Sequence, residues 1–582
     1  MIGKLAAYVG QYRRDVLLVP IFVLIDVACE LSMPLLMSRI VDIGIVNQDI
    51  GYIARIGLYM ALLALTAIAF GVGMMFFSTR GSMGFGANLR DALFAKIQQF
   101  SFKNIDKFST ASLITRVTND VNNLQMTFLM ALRILLRAPM MLIIAFLLAY
   151  SINSELSVIL AVAIPILVGA VLLVMRTAGR RFAIVQERID SMNATLQENL
   201  IGQRVVKSFV RTDFENAKFR QSNDDLTNAF IRAVSVVILN MPVMMLVMNG
   251  TALVVIWQGG GMVAGGRLGA GELISFLSYI MQILFSVMMI SMVFVMSARA
   301  QASARRVLEV LETEIDIVDS VGPEGGSDLP RVTAGRVEFR DVSLKYDLSG
   351  SGAEVLSGVS FAAEPGEVVA IVGGTGSGKS TLVSLIPRLY DVTAGSVLVD
   401  GHDVRDYRLD DLRGAIGVVL QQNTLFSGTI RENLLWGRED ATIEEIEAVC
   451  RAAQAHEFIM SFPDGYETDL GQGGVNLSGG QKQRLTIARA MLKRPRILIL
   501  DDSTSAVDSA TEERIREAFY RELADTTVFI IAQRISSVRA ADRILVIDDG
   551  KLIGEGTHQS LLAENKVYQE INQSQQEGVL AG

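Results

Sequence analysis

At 582 residues the chain is too long for one domain; at roughly 150 residues per domain, two to four are expected. Hydrophobic residues make up 51%, and the mean hydropathy of +0.39 is high for a soluble protein. The net charge of −8 and the pI near 5.3 disfavour a general nucleic-acid binder, which would be basic. The two cysteines, Cys29 and Cys450, and the three histidines, His402, His456 and His558, form neither a disulfide framework nor a metal-ligand pattern.

Apolar residues are concentrated before about Ala298, and after Glu312 the composition is that of a soluble domain. No cleavable leader is expected. The segment Met1–Arg14 mixes Lys4, Arg13 and Arg14 with Leu5, Tyr8 and Val9, and reads as an amphipathic segment on the inner membrane face. A membrane-spanning helix needs about 20 mostly apolar residues. Six stretches qualify, centred on Val16–Ile45, Ile53–Phe77, Met126–Ile152, Leu156–Met175, Ala233–Trp257 and Leu273–Met296. The segments Arg80–Gln125 and Arg176–Arg232 are long and rich in Lys and Arg, whereas the short turns carry almost none. By the positive-inside rule the long segments and both termini face the cytoplasm, and each long segment is expected to be a helical hairpin.

Charges within the spans need partners, because one at mid-span costs about 2.5–3.5 kcal/mol on insertion scales. Asp26 and Glu30 share a face of span one, and Arg133 and Arg137 a face of span three. Counted from outer ends at Ile45 and Ile152, Asp26 and Arg133 lie ~28 Å down, and Glu30 and Arg137 ~22 Å. This predicts two ion pairs, or a shared charged wall, between spans one and three. Such a cluster is either a static brace or a site for charged substrate. Spans five and six are rich in methionine, including Met241, Met244, Met245, Met248, Met281, Met288, Met289, Met292 and Met296. Methionine suits both an adaptable binding surface and a bundle core.

In the second half, Val337–Phe339 and Val368–Val372 read as strands. The latter runs into Gly373, Gly374, Thr375, Gly376, Ser377, Gly378, Lys379, Ser380 and Thr381, then an apolar helix. This is the phosphate-binding pattern G-x-x-x-x-G-K-[ST] in its strand–loop–helix setting. Lys379 is placed to reach the terminal phosphates of ATP, and Ser380 to bind Mg²⁺. Further on, Leu477, Ser478, Gly479, Gly480 and Gln481 open a basic helix, which suits an anion. The apolar strand Ile497–Leu500 then delivers Asp501 to the metal, followed by Asp502.

With these three motifs in this order, the second half resembles an ATP-binding cassette. Nearly the whole chain is similar to the half-transporters of bacterial ABC exporters. The implied fold is multidomain: an all-α six-span transmembrane domain over residues 1–311, a linker over 312–335, an α/β P-loop cassette over 336–573 and a C-terminal tail over 574–582, expected to be disordered. The resemblance implies that Tyr346 stacks on adenine, that Gln422 links Mg²⁺ to the membrane domain, and that Ser505, Ala506, Val507 and Asp508 form the D-loop. Asp106–Asp120 and Gly202–Asp213 are similar to the coupling regions that reach the cassettes. In the family two cassettes dimerise head to tail, each nucleotide lying between one phosphate loop and the other cassette's Leu-Ser-Gly-Gly-Gln.

The pattern is broken at three places. The family has a catalytic Glu where this chain has Asp502, one C–C bond shorter, or about 1.5 Å. A misplacement of ~1 Å can cost about a hundredfold in rate. The family's switch His is Gln533 here, a neutral group that cannot make the charge-assisted contact to γ-phosphate. Gln472 stands where the family often has Glu. The resemblance is therefore to the degenerate-site subunit of heterodimeric multidrug exporters. It implies a multi-pass protein of the cell membrane, in contact with lipid and a hydrophobic or amphipathic substrate, with a second half-transporter as partner and no nucleic acid. Lipid flipping, peptide export and import stay open, as does a different class, an ATP-sensing regulator that transports nothing.

Overall fold

The computed structural model describes residues 2–319, 329–346, 354–502, 509–522 and 524–580. They form two compact units: Met1–Gln98 with Thr110–Thr313, and Gln99–Ser109 with Glu314–Gly582.

Among its described residues the first unit has six helices long and apolar enough to cross a membrane: Gly3–Ile45, Ile50–Gln98, Thr110–Ile152, Ser154–Ile201, Thr212–Ala264 and Ala270–Ile290. Several outrun any bilayer. Ile50–Gln98 has 49 residues, or ~73 Å of helix against ~30 Å of hydrocarbon. The N-terminal segment does not simply lie on lipid. Leu5 and Val9 are buried within the protein, and Asn88 Nδ2 donates to the Tyr8 carbonyl at 2.9 Å.

Lipid is as apolar as leucine, so close backbone approach and hydrogen bonds hold membrane helices together. Span two meets span one along small residues. A Cβ on Gly73 would lie 2.3 Å from the Phe22 ring, and one on Gly84 2.2 Å from that of Tyr12. Span six is tied to span one by side chains that reach backbone. Tyr279 Oη donates to the Leu31 carbonyl at 2.6 Å, and Ser275 donates to that of Pro34. Asp42 accepts from the amides of Gly271 (2.7 Å) and Glu272 (3.0 Å), capping span six. Lower down, the buried Asp120 accepts from Arg306 Nε at 2.7 Å and Ser303 Oγ at 2.8 Å, joining spans three and six.

Spans one and three do share a charged cluster, but not with the expected pairing. Arg137 alone takes both acids: its Nη1 is 2.6 Å from Asp26 Oδ2, and its Nη2 bonds Glu30. Arg133 bonds span two instead, through Thr79 Oγ1 (2.6 Å), Ser78 Oγ (2.9 Å) and the Met75 carbonyl (3.2 Å). The depth count assumed regular α-helix. Ala131–Leu135 is a π-helical turn, and so is Ile40–Ile45 in span one, which shifts rise and rotation. The methionines are divided: Met244 is buried, while Met241, Met245 and Met281 are exposed. The side chains of Met292 and Met296 lie outside the described residues.

In the second unit a six-stranded sheet has the order Lys551–Gly556, Arg543–Asp548, Val368–Val372, Thr527–Ile531, Ile497–Asp501, Ile416–Val419. All pairs are parallel except the first, an antiparallel edge. Four of its strands read as near-continuous Val/Ile/Leu runs, as buried parallel strands do. An antiparallel sheet of Leu356–Ala363, Val337–Leu344, Ala394–Val399 and His402–Asp403 shares a core with it through Phe339, Phe361, Ile371 and Phe529. The helix Phe102–Lys107 belongs to this unit. Tyr390 Oη donates to Asp106 Oδ2 at 2.8 Å, and Asn104 Nδ2 donates to the Glu314 carbonyl at 3.1 Å. The segment after Gln573 is not a disordered tail: Lys566–Leu580 is one helix, seated through Tyr568 and Ile571.

Arg137→Met leaves Asp26 buried without its cation, a change that costs about 3–5 kcal/mol for a fully buried pair and less here, where Glu30 is partly exposed. The expected outcome is a lower thermal inactivation midpoint in detergent, largely recovered by adding Asp26→Leu and Glu30→Leu. Recovery by neither acid change would mean the cluster is not a brace.

Candidate functional site

The site is set by strand register. Ile531 pairs with Ile371 on one side and with Asp501 on the other. The residues that follow all three strands therefore leave the sheet at one edge, where open parallel sheets bind ligands. Gly373–Thr381 follows Val368–Val372, Asp502 follows Asp501, and Gln533 lies two residues beyond Ile531.

The phosphate loop needs its glycines for two reasons. Gly376 and Gly378 have φ of +82° and +95°, and a Cβ on Gly378 would lie 2.8 Å from the Val355 carbonyl. Gly374 and Gly376 would meet nothing within 4 Å, because they border open space. That space is a cavity of about 530 Å³, walled by the loop, Gln421, the two aspartates, Gln533 and part of the last helix. Lys379 Nζ curls onto the carbonyls of Gly373 (3.0 Å) and Gly374 (2.6 Å). Burial pulls its pKa down, while Asp501 and Asp502 oppose that. Ser377 and Thr381 are buried. Tyr346 Oη bonds Thr381 Oγ1 at 2.8 Å, and its ring meets Tyr390 edge-on at 5.0 Å, outside the cavity wall.

Ser380 Oγ donates to Asp501 Oδ1 at 3.0 Å. Burial raises the Asp501 carboxyl above its usual range, against the pull of the Ser380 hydrogen bond. A hydroxyl and a carboxylate beside the loop fit Mg²⁺, which takes oxygen ligands and binds through one or two protein groups plus substrate phosphates. Among the described residues there is no cluster of three His, Cys, Asp or Glu that could hold a metal alone. Mg²⁺ would neutralise phosphate charge there.

Asp502 has a left-handed backbone, φ +48°, which Asp tolerates better than most residues. Its amide donates to the Ile531 carbonyl at 3.0 Å, and its Oδ2 accepts from Gln533 Nε2 at 2.9 Å. Burial pushes this carboxyl up, and a hydrogen bond with Gln421 pulls it back. Thus Gln421, rather than the expected Gln422, faces the cavity.

Leu477 is buried, and Ser478 caps the helix Gly479–Leu492 through a reciprocal pair: its Oγ accepts from the Gln481 amide at 3.3 Å, and its amide donates to Gln481 Oε1 at 2.9 Å. Ser478 and Gly479 are exposed, Gly480 half-buried, and none of Leu477–Gln481 lines this cavity. The helix start is open to an anion from elsewhere. Ser505, Ala506, Val507 and Asp508 lie outside the described residues. The last helix was not foreseen at the site; it contributes Glu570, Ser574 and Gln575 to the wall. Its polar sequence carries no motif that could have signalled this.

A bundle of spans on one chain with a phosphate-loop cassette defines a membrane transporter driven by ATP. Residues 16–287 match the family description "ABC transporter transmembrane region", and 356–505 match "ABC transporter". The chain belongs to the ABC transporter family and is an exporter-type half-transporter with the family's transport-coupled ATPase domain. It is 42% identical, over 95% of each chain, to the uncharacterized ABC transporter ATP-binding protein YfiB of Bacillus subtilis (strain 168). It is 37% identical to an ATP-dependent lipid A-core flippase of Syntrophus aciditrophicus (strain SB), over 84% of this chain and 80% of that one. It is 34% identical to the putative multidrug export ATP-binding/permease protein YgaD of Bacillus subtilis (strain 168), over 97% of both. In structure it is similar to a bacterial Atm1-family ABC exporter with ATP bound: TM-score 0.79, 26% identity, covering 97% of this chain and 99% of that one.

Gln421→Ala is expected to slow single-turnover ATP hydrolysis about tenfold or more, and Gln422→Ala to leave it within about twofold, since position at the reacting end dominates rate. Equal effects would return the role to Gln422.

Proposed function

We propose that this chain exports hydrophobic or amphipathic small molecules as the slow-site half of a heterodimeric transporter. The observation that carries this is the hydrogen bond from Gln533 Nε2 to Asp502 Oδ2, 2.9 Å long. The shorter acid is held by a neutral amide, so the site has neither the reach of Glu nor a switch residue that can take up a proton and become cationic. The phosphate loop around it is intact. ATP would be held by Gly373–Thr381, Mg²⁺ by Ser380 and Asp501, and adenine by Tyr346. Leu477–Gln481 would complete the partner's competent site.

Two further observations support a partner. The second coupling region is apolar and bare: Phe209 and Val210 are 73% and 86% exposed, although the positive-inside rule puts this tip in the cytoplasm. A second subunit's cassette would cover it. At the first coupling region, its first residue, Asp106, already accepts from Tyr390 of this chain's own cassette unit. We place the protein in the cell membrane, both termini cytoplasmic, with the membrane domain ending near residue 311 and the cassette running from 336 through the helix Lys566–Leu580. The cluster of Asp26, Glu30 and Arg137, with Arg133 nearby, is read as a brace first and as a wall for charged substrate second. The named lipid A-core flippase relative favours a second reading, lipid flipping, on the same architecture.

The test is ATP turnover by the full chain alone in lipid, with ATP binding measured beside it. Binding with little turnover is expected. Asp502→Glu with Gln533→His should raise turnover at least about tenfold, a fraction of the ~100-fold that a 1 Å misplacement costs. The gain is tempered by the left-handed backbone at Asp502, which suits Glu less well. Brisk turnover by the unaltered chain would refute the slow-site reading.

A further inference from the structure

We infer that Gln575, on the last helix, is a positioning residue for the catalytic end of the nucleotide site, acting through Gln533. The switch segment is a short exposed step: Gln533 and Arg534 are exposed, between the buried Ala532 and Ile535. Gln575 spans that step with one amide group. Its Nε2 donates to the Gln533 carbonyl at 2.7 Å, and its Oε1 accepts from the Ile535 amide at 2.8 Å. Both ends of the step are thereby held to one side chain, which fixes the direction in which Gln533 leaves the backbone.

The side chain so aimed is the one whose Nε2 meets Asp502 Oδ2 at 2.9 Å. A route of two hydrogen-bonded contacts therefore runs from Gln575 to the acid beside the phosphate cavity. The helix is a fit anchor. Tyr568 is fully buried in the cluster that contains Ala532 and Ile535, and Ile571 packs against that cluster. Tyr568 Oη bonds His558 Nδ1 at 2.7 Å, and its amide donates to Asn565 Oδ1 at 2.9 Å. Gln575 is half-buried and lines the cavity with Glu570 and Ser574, close enough to adjust geometry there. A residue that only stabilised the fold would act on the global unfolding midpoint; one that aims Gln533 acts on rate.

The inference rests on Gln533 and Asp502 standing at the reacting end of the site, so the experiment separates the two ideas. Single-turnover hydrolysis of Mg-ATP by the full chain in lipid, which detects slow sites, is measured for Gln575→Met, Gln533→Ala and the double variant, with ATP affinity and unfolding midpoint in parallel. Met keeps the length of Gln and removes both hydrogen bonds. Gln575→Glu is the second variant: it keeps the acceptor for Ile535 and sets a carboxylate against the Gln533 carbonyl. Each single change should lower the rate about tenfold, with ATP affinity within about twofold, and the double variant should be no slower than Gln533→Ala alone, because residues acting in one chain are non-additive. If Gln533→Ala leaves the rate unchanged, the reading of Gln533 fails and this inference with it. If Gln533→Ala slows hydrolysis but Gln575→Met does not, or slows it equally in both backgrounds, only the role of Gln575 is overturned.

Discussion

Ile371, Ile531 and Asp501 lie in one row across three parallel strands, and the chemistry of this chain depends on that row. Parallel strands carry their carboxyl ends to the same edge. The phosphate loop lies more than a hundred residues before the metal-facing acid, and Gln533 follows Asp502 by 31 residues, yet all leave the sheet together. A shift of one residue in the strand Thr527–Ile531 would turn its inward side chains outward. It would also break the 2.9 Å contact between Gln533 and Asp502. The uniform Val/Ile/Leu composition of the strands does not itself set this register. Burial on both faces and the turn segments at the strand ends do.

The membrane unit obeys a different constraint. Hydrophobicity cannot drive one apolar helix against another inside lipid. Span one is held instead by what protrudes from it or is missing opposite it: glycines in span two, bare carbonyls accepting from span six, and carboxylates gripping Arg137. Prolines add to this. Pro34 removes an amide from span one, and its own carbonyl takes a span-six hydroxyl. The short helix Phe102–Lys107 links the two kinds of structure by connectivity. The chain on either side of it belongs to long membrane helices ending at Gln98 and starting at Thr110, while its own side chains bond the cassette unit.

Asp502 and Gln533 are a matched pair rather than two independent departures from the family pattern. The longer neutral amide reaches the acid, and a left-handed backbone that Asp accepts holds it there. Such a pair fixes the Asp502 carboxyl beside the phosphate-loop cavity.

Much of this was legible in the sequence, because some signals are local. Six apolar stretches report spans by length alone, and the phosphate loop, Leu477–Gln481 and the aspartates report chemistry because backbone and side chain at those positions have few alternatives. What depended on distant parts of the chain was not legible. The spacing of Asp26, Glu30, Arg133 and Arg137 pointed to a cluster between spans one and three. It could not tell which arginine would take both acids, since the π-helical turn at Ala131–Leu135 resets their heights. Twin glutamines do not announce which one faces a cavity, and Gln421 does so only because the phosphate loop, the two aspartates and Gln533 are brought around it from other parts of the chain. The polar residues after Gln573 read as disorder, because a helix of that composition has little stability of its own. It forms where Tyr568 and Ile571 find a core and Gln575 finds the switch backbone. The sequence by itself determined the parts and their chemistry, which are properties of neighbouring residues. Tertiary structure decided the partners, which are set by register, helix phase and packing between segments far apart in the chain.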